Sequence, residues 1–371
     1  MMIFPPLTRA ILLTILFKAT TALTAHIPRG SVPAPSLRLE STMRQQRYIE
    51  KTDKNTLHTR SDTRDFLNTT EAEIEHELDL LLGYANDSRV QMRAATATGF
   101  DPHAQAQQPF PSWLSEFTQM TAWPGLDPPY ILLDFINLAE VPNIPPYQQG
   151  ICPGTADSCS FDCFKCVEPD DCYTCPKLSQ TFDDGPSPAT SKLLAHLNHK
   201  ATFFTLGINA VRYPETYKEL QSKGHLIGSH TWSHKFLPSL SNEEIIAQIE
   251  WSIWAMNATG HHLPKWFRPP YGGYDNRVRH ILRKFGMQAA LWDYDTFDWQ
   301  ILNNLKTEDL VLADVTKWKN ASHNPSGLIL EHDGALPTVN AAIKANEIIG
   351  EDQLTVAQCM GGIDYIRVFD Q

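Results

Sequence analysis

Leu178-Ser179-Gln180-Thr181-Phe182-Asp183-Asp184-Gly185-Pro186-Ser187 reads as a short buried-type strand that ends on two carboxylates and turns at Gly185-Pro186. Ser187-Pro188 then has the form of an N-cap and first helical residue, for a helix carried through Leu193, Leu194 and Leu197. Outward from this unit the pattern repeats. Ala201–Leu206, Leu226–Ser229, Gln288–Trp292 and Leu328–Leu330 read as strands. Between them, Ser241 with Glu244 three residues on forms a capping box for a helix through Ile245, Ile249 and Ile253. Another helix runs from Asn276 to Phe285 and stops at Gly286. Strand–helix alternation implies an α/β fold with parallel strands and helices outside, and polar residues cluster at strand C-terminal ends, where a barrel gathers its site.

Five clusters carry chemistry: Thr181–Pro186, His230-Thr231-Trp232-Ser233-His234, Arg268-Pro269-Pro270-Tyr271-Gly272, Asp295-Thr296-Phe297-Asp298-Trp299 and Leu330-Glu331-His332. His230 and His234 are four apart, so on one helical turn both imidazoles face the same way, as a shared metal requires. With one carboxylate from Asp183-Asp184 they make a three-ligand site with an open position for water.

In order and spacing these clusters resemble the five motifs of the family-four carbohydrate esterases, the polysaccharide deacetylase or NodB-homology domain, strongly over residues 177 to 335. With its Cys-rich lead-in, the Leu178–Ser187 stretch resembles fungal chitin deacetylases, including those of yeast spore walls. The resemblance implies a distorted (β/α) barrel with fewer than eight strands. It assigns Asp184, His230 and His234 as metal ligands, Asp183 as general base and Arg268 as the residue that orients it. It further implies the Tyr271 backbone N–H as oxyanion donor and Trp299 with Leu330 as walls of an acetyl pocket. His332 corresponds to the general acid, tuned by an aspartate for which Asp298 fits best and Asp295 and Asp293 are alternatives. The implied cofactor is one divalent metal, zinc by default for an Asp-His-His set, with cobalt able to use the same ligands. The implied reaction is removal of N-acetyl groups from chitin to give chitosan and acetate, in a fungal cell or spore wall. Acetylated xylan and peptidoglycan are alternative substrates, and a silent glycan-binding wall protein is the non-enzymatic alternative.

The rest of the chain sets the context. A net charge of −11 argues against nucleic acid as a partner. Residues 1–25 have the basic start, short apolar run and Ala-Leu-Thr-Ala end of a secretory leader, too short to span a bilayer. The C-terminal Arg367–Gln371 has no apolar tail, so neither a lipid nor a transmembrane anchor is expected. Sequons at Asn68, Asn86, Asn257 and Asn320 suit a secretory route. Residues 26–109 read as polar, largely disordered or processed sequence with one short helix carrying Ile74, Leu78, Leu81 and Leu82. Residues 110–176 read as a Pro- and aromatic-rich strap followed by a Cys-rich segment, and 177–371 as the catalytic domain. An aromatic strip that grips glycan is the alternative reading of the strap. Cys152, Cys159, Cys163, Cys166, Cys172 and Cys175 crowd together, with Cys359 apart. In an oxidising compartment these read as disulfides rather than a zinc knuckle, with one thiol left over and Cys359 expected to clip the C-terminal strand to the cluster. Oligomeric state leaves no mark in the sequence.

Overall fold

The computed structural model describes residues 104–153 and 158–369. The leader, the polar stretch, the helix read near 74–82 and the sequons at Asn68 and Asn86 lie outside these residues. Among the described residues no helix is long and apolar enough to cross a membrane.

Among the described residues, nine strands form two sheets: β1 Leu178–Asp183, β2 Thr202–Thr205, β3 Leu226–Ser229, β4 His262–Pro264, β5 Trp266–Phe267, β6 Gln288–Ala289, β7 Tyr294–Asp295, β8 Gly327–His332 and β9 Tyr365–Val368. The main sheet runs β6-β5-β3-β2-β1-β8-β7, parallel throughout. Its edges β6 and β7 are not paired with each other, so seven strands curl into an open half-barrel, the distorted barrel expected. Crossovers are made by α3 Thr190–Leu194, α4 Gly207–Arg212, α5 Pro214–Ser222, α6 Asn242–Gly260, α7 Asn276–Lys284, α8 Glu308–Lys319 and α9 Leu336–Ile349. Ahead of the sheet lie α1 Ser112–Thr118 and α2 Phe161–Phe164, and after it α10 Val356–Met360. Buried Phe182, Phe203, Phe204, Ile227 and Phe267 show why these strands read as continuous apolar runs: both faces are covered.

Helix α6 starts at the predicted capping box, Ser241 accepting from Glu244 N–H while the Glu244 carboxylate accepts from Ser241 N–H. The helix is buried nearly all round, which a two-layer fold does not require of a surface helix. The strap explains it. Trp251 donates its indole N–H to Pro129 O at 2.7 Å, and Ile131 N–H donates to Glu250 Oε1 at 2.9 Å. Phe117 packs edge-on against Trp254, and Trp123 stacks on Trp232. Trp113 and Trp123 are therefore packed inward rather than presented as a glycan-gripping strip.

Several expectations need correction. The helix after Pro188 begins only at Thr190, because the Ser187 hydroxyl accepts from Ala189 N–H and holds a turn first. The strand at Gln288–Trp292 shortens to two residues, since Ala290 instead bridges to Cys172. The antiparallel pair β4–β9 was not foreseen, being three and four residues long. Disulfides join Cys152–Cys163, Cys159–Cys166 and Cys175–Cys359, leaving Cys172 as a buried free thiol. Cys359 does clip the C-terminal region to the cluster, but from α10 rather than from a strand.

Candidate active site

Register brings the first pair together. β1 and β8 lie side by side with Asp183 directly opposite His332, so a carboxylate and an imidazole stand at neighbouring strand ends. β3 ends one residue before His230, and β5 one residue before Arg268, delivering both to the same edge. In open parallel sheets this edge is where loops converge to form a site.

Asp183 is buried, and Arg268, fully buried, donates from Nη1 to Asp183 Oδ1 at 2.9 Å and to Thr181 Oγ1 at 2.6 Å. The same guanidinium donates to the carbonyls of Ala290 and Leu291, so its orientation is set by backbone on the far side. Asp183 is thus held with one oxygen on Arg268 and the other, Oδ2, 3.8 Å from His230 Nε2.

Asp184, His230 and His234 place one donor atom each within 4.8 Å of one another. Asp184 Oδ1 lies 3.5 Å from His230 Nε2 and 3.2 Å from His234 Nε2. Their backbone is not the helical turn that the four-residue spacing suggested. Thr231 and His234 both take positive φ, 71° and 64°, so an irregular turn and not a helix aligns the rings. Asp184 is also left-handed, at φ 78°, with its carbonyl accepting from Asn209 Nδ2 at 2.8 Å. Such conformations cost of order 1–3 kcal/mol each and persist where surrounding contacts enforce them.

Three observations fit a cation here. Asp184 Oδ1 is buried without a hydrogen-bond partner, a costly state for a carboxylate oxygen unless something else satisfies it. His230 Nδ1 sits 2.7 Å from Arg268 O, which fixes the proton on Nδ1 and leaves the Nε2 lone pair facing Asp184. His234 Nδ1 sits 3.0 Å from the Tyr271 hydroxyl and is held likewise. Burial lowers the His234 pKa to about 4, so its ring is neutral, the form that ligates.

Asp298 grips His332 twice, accepting from its backbone N–H at 2.9 Å and from Nδ1 at 2.6 Å. Burial alone would lower the His332 pKa. The Asp298 charge and hydrogen bond outweigh that, with help from Asp184 and Asp183, and hold it well above the usual histidine range. The other two aspartates are engaged elsewhere: Asp295 accepts from Phe297 N–H, and Asp293 from Leu328 N–H. Leu330 is buried one pleat below His332 on the same face of β8, while Trp299 and Tyr271 are 41% and 50% exposed at the rim. Tyr271 occupies a left-handed position at φ 60° within the turn Pro270–Gly272. All ten predicted residues therefore come from loops and strand ends of one sheet edge.

Two residues were missed. Asp333 is buried; its Oδ1 accepts from Gly185 N–H at 3.0 Å and its Oδ2 from the Thr190 hydroxyl at 2.6 Å. Its own N–H donates to Asp183 O, so it stitches the β8 turn to the two-aspartate turn. Burial pushes its carboxyl up to about 7. The only sequence signal was an acid directly after His332, indistinguishable from an ordinary turn residue. Gln180 is the other: it donates to Glu331 Oε2 at 2.7 Å beneath the sheet, on the side of β8 away from His332.

The polysaccharide deacetylase family profile matches residues 170–290. Chitin deacetylase 1 of Saccharomyces cerevisiae is 60% identical over 267 residues, spanning 71% of this chain and 88% of the yeast protein. Chitin deacetylase 2 of the same yeast is 61% identical over 269 residues, 72% of this chain and 85% of that one. Among solved structures, the chitin deacetylase of Colletotrichum lindemuthianum matches with a TM-score of 0.46 at 29% identity, covering 52% of this chain and 91% of its own. The chain belongs to the polysaccharide deacetylase family.

Proposed function

We propose that this chain is a metal-dependent chitin deacetylase: it hydrolyses the N-acetyl groups of N-acetylglucosamine residues, giving chitosan and acetate, in a fungal cell or spore wall. The observation that carries this reading is the register pair Asp183–His332 set beside the Asp184, His230 and His234 donors. An acid, a base and a cation site at one strand edge are the parts amide hydrolysis needs.

Asp184, His230 and His234 would hold one divalent ion, and an imidazole–carboxylate donor set favours zinc, with cobalt next. When bound, such an ion supplies Lewis acidity, lowering the pKa of water and polarising the acyl oxygen. Asp183, oriented by Arg268, takes a proton from the attacking water. The Tyr271 backbone N–H donates to the oxyanion as the carbonyl becomes tetrahedral. His332 then gives its proton to the departing nitrogen, since an amide anion is too basic to leave unaided. The C–N bond breaks, and amine and acetate separate. Trp299 and Leu330 enclose the acetyl methyl, which explains an apolar patch beside so many charges. Secretion is supported by the leader at residues 1–25 and by three disulfides, which persist in oxidising compartments.

Acetate release from chitin oligomers, measured beside acetylated xylan, tests the substrate. Release from the chitin oligomers at far higher kcat/KM is expected; preference for the xylan ester would replace this reading with esterase activity.

A further inference from the structure

The disulfide-rich segment is more than a lead-in, because one of its side chains stands at the rim of the site. Two bridges, Cys152–Cys163 and Cys159–Cys166, bracket the short helix α2. Phe161 N–H donates to Tyr274 O at 2.9 Å, and the Phe161 ring meets Trp292 edge-on with centroids 5.2 Å apart. A Cβ built on Gly272 would approach both Phe161 and Trp292 at 3.1 Å, so this wall abuts the turn carrying Tyr271. Lys165 closes α2 in the left-handed region, at φ 50°, and lays its ammonium 4.4 Å over the Phe161 ring and 5.9 Å from that of Trp292. The residue is exposed overall, but burial of its ammonium against these rings lowers its pKa from the ordinary lysine value, an effect opposed by the charge of Asp295, which pairs in register with Leu330. Trp292 lies two residues before β7, whose Asp295 pairs with Leu330, so this wall borders the strand edge that carries the site.

We propose that Lys165 is a specificity-determining residue that distinguishes N-acetylated sugars from already deacetylated ones beside the reacting residue. This rests on the chitin reading above. Each turnover converts a neutral amide into an ammonium, so the neighbouring sugar changes charge as the polymer is processed. The whole chain, at −11, draws a cationic polymer towards it. Lys165 opposes that locally: its ammonium repels a glucosaminium and leaves an acetamide unaffected, while its stem and the half-buried Trp292 offer apolar surface to the sugar ring. The two disulfides and the cation–π contact hold the charge in place, as a selectivity device requires.

The test compares kcat/KM for fully acetylated and partly deacetylated six-sugar oligomers. Lys165→Gln should lower the preference for the acetylated oligomer about fivefold, and Lys165→Glu should lower it further, as expected for one charge interaction at the rim. Lys165→Arg should retain it, and raising the salt concentration should narrow the difference in preference between the wild type and Lys165→Gln. A preference unchanged in Lys165→Gln, or lost equally in Lys165→Arg, would overturn the proposal. Absence of acetate release from either oligomer by the wild-type protein would instead remove the chitin reading and this inference with it.

Discussion

Asp183 and Asp184 are consecutive, yet one is turned onto Arg268 and the other, through its left-handed backbone, towards two imidazoles. Asp183→Asn should therefore retain metal and lose turnover by a factor of about 10²–10⁴, the range for a general base. Asp184→Ala should lose the metal itself, read by elemental analysis of the purified variants. The reverse pattern would exchange their roles. His332 carries a pH prediction. With its pKa held above the usual range by Asp298, the protonated acid persists into alkaline solution, so the alkaline limb of the pH–rate profile reports His332. Asp298→Asn removes the charge favouring the imidazolium, so that limb should move to lower pH; a shift caused instead by Asp295→Asn would assign the role to Asp295. The candidate residues could be picked out because each sits in a short cluster whose residue types have few other uses together. What distinguished Asp298 from Asp295 was not legible, since a turn of left-handed Phe297 decides which carboxylate meets the imidazole. Asp333 was invisible for the same reason: its value lies in three contacts to segments some 150 positions away.

Among the elements, long capped helices and the apolar strands of the sheet centre were legible, and short edge elements were not. α6 declared itself through Ser241 and Glu244; β6 was read only as part of a longer strand, and β5 and β7, two residues each, carry no periodicity. Beneath the strap, α6 carries a buried carboxyl at Glu250, whose pKa burial raises to about 8 from 4.5. The folded state thus binds a proton that the unfolded chain releases near pH 4.5. The stability Glu250 contributes is fully present below that pH and is lost as pH rises towards 8. Glu250→Gln should flatten the fall in melting temperature over this window, with a difference of at least ~2 °C from wild type at pH 8. An unchanged pH dependence would show that this α6 carboxyl is not the group responsible. The Cys175–Cys359 bridge spans 184 residues and fastens α10 beneath β1. Replacing both cysteines by serine should cost about 2–5 kcal/mol in denaturant unfolding, while replacing the buried Cys172 by alanine should leave all three bridges in a non-reducing mass map.

At the scale of the whole molecule, an open seven-strand sheet solves a placement problem. Its parallel strands all finish on one edge, so clusters spread from Asp183 to His332 along the chain converge there. The order of those clusters was readable; their convergence required the sheet order β3-β2-β1-β8, which sequence spacing does not specify. On the proposed reading, acetate release depends on an ion held by Asp184, His230 and His234. The most direct measurement is a zinc titration of chelator-stripped protein, following bound metal and acetate released from a chitin oligomer in the same samples. Stripped protein should release negligible acetate, with activity then rising in proportion to metal up to one ion per chain and no binding at this site in Asp184→Ala. Full acetate release from protein shown to be metal-free would contradict it.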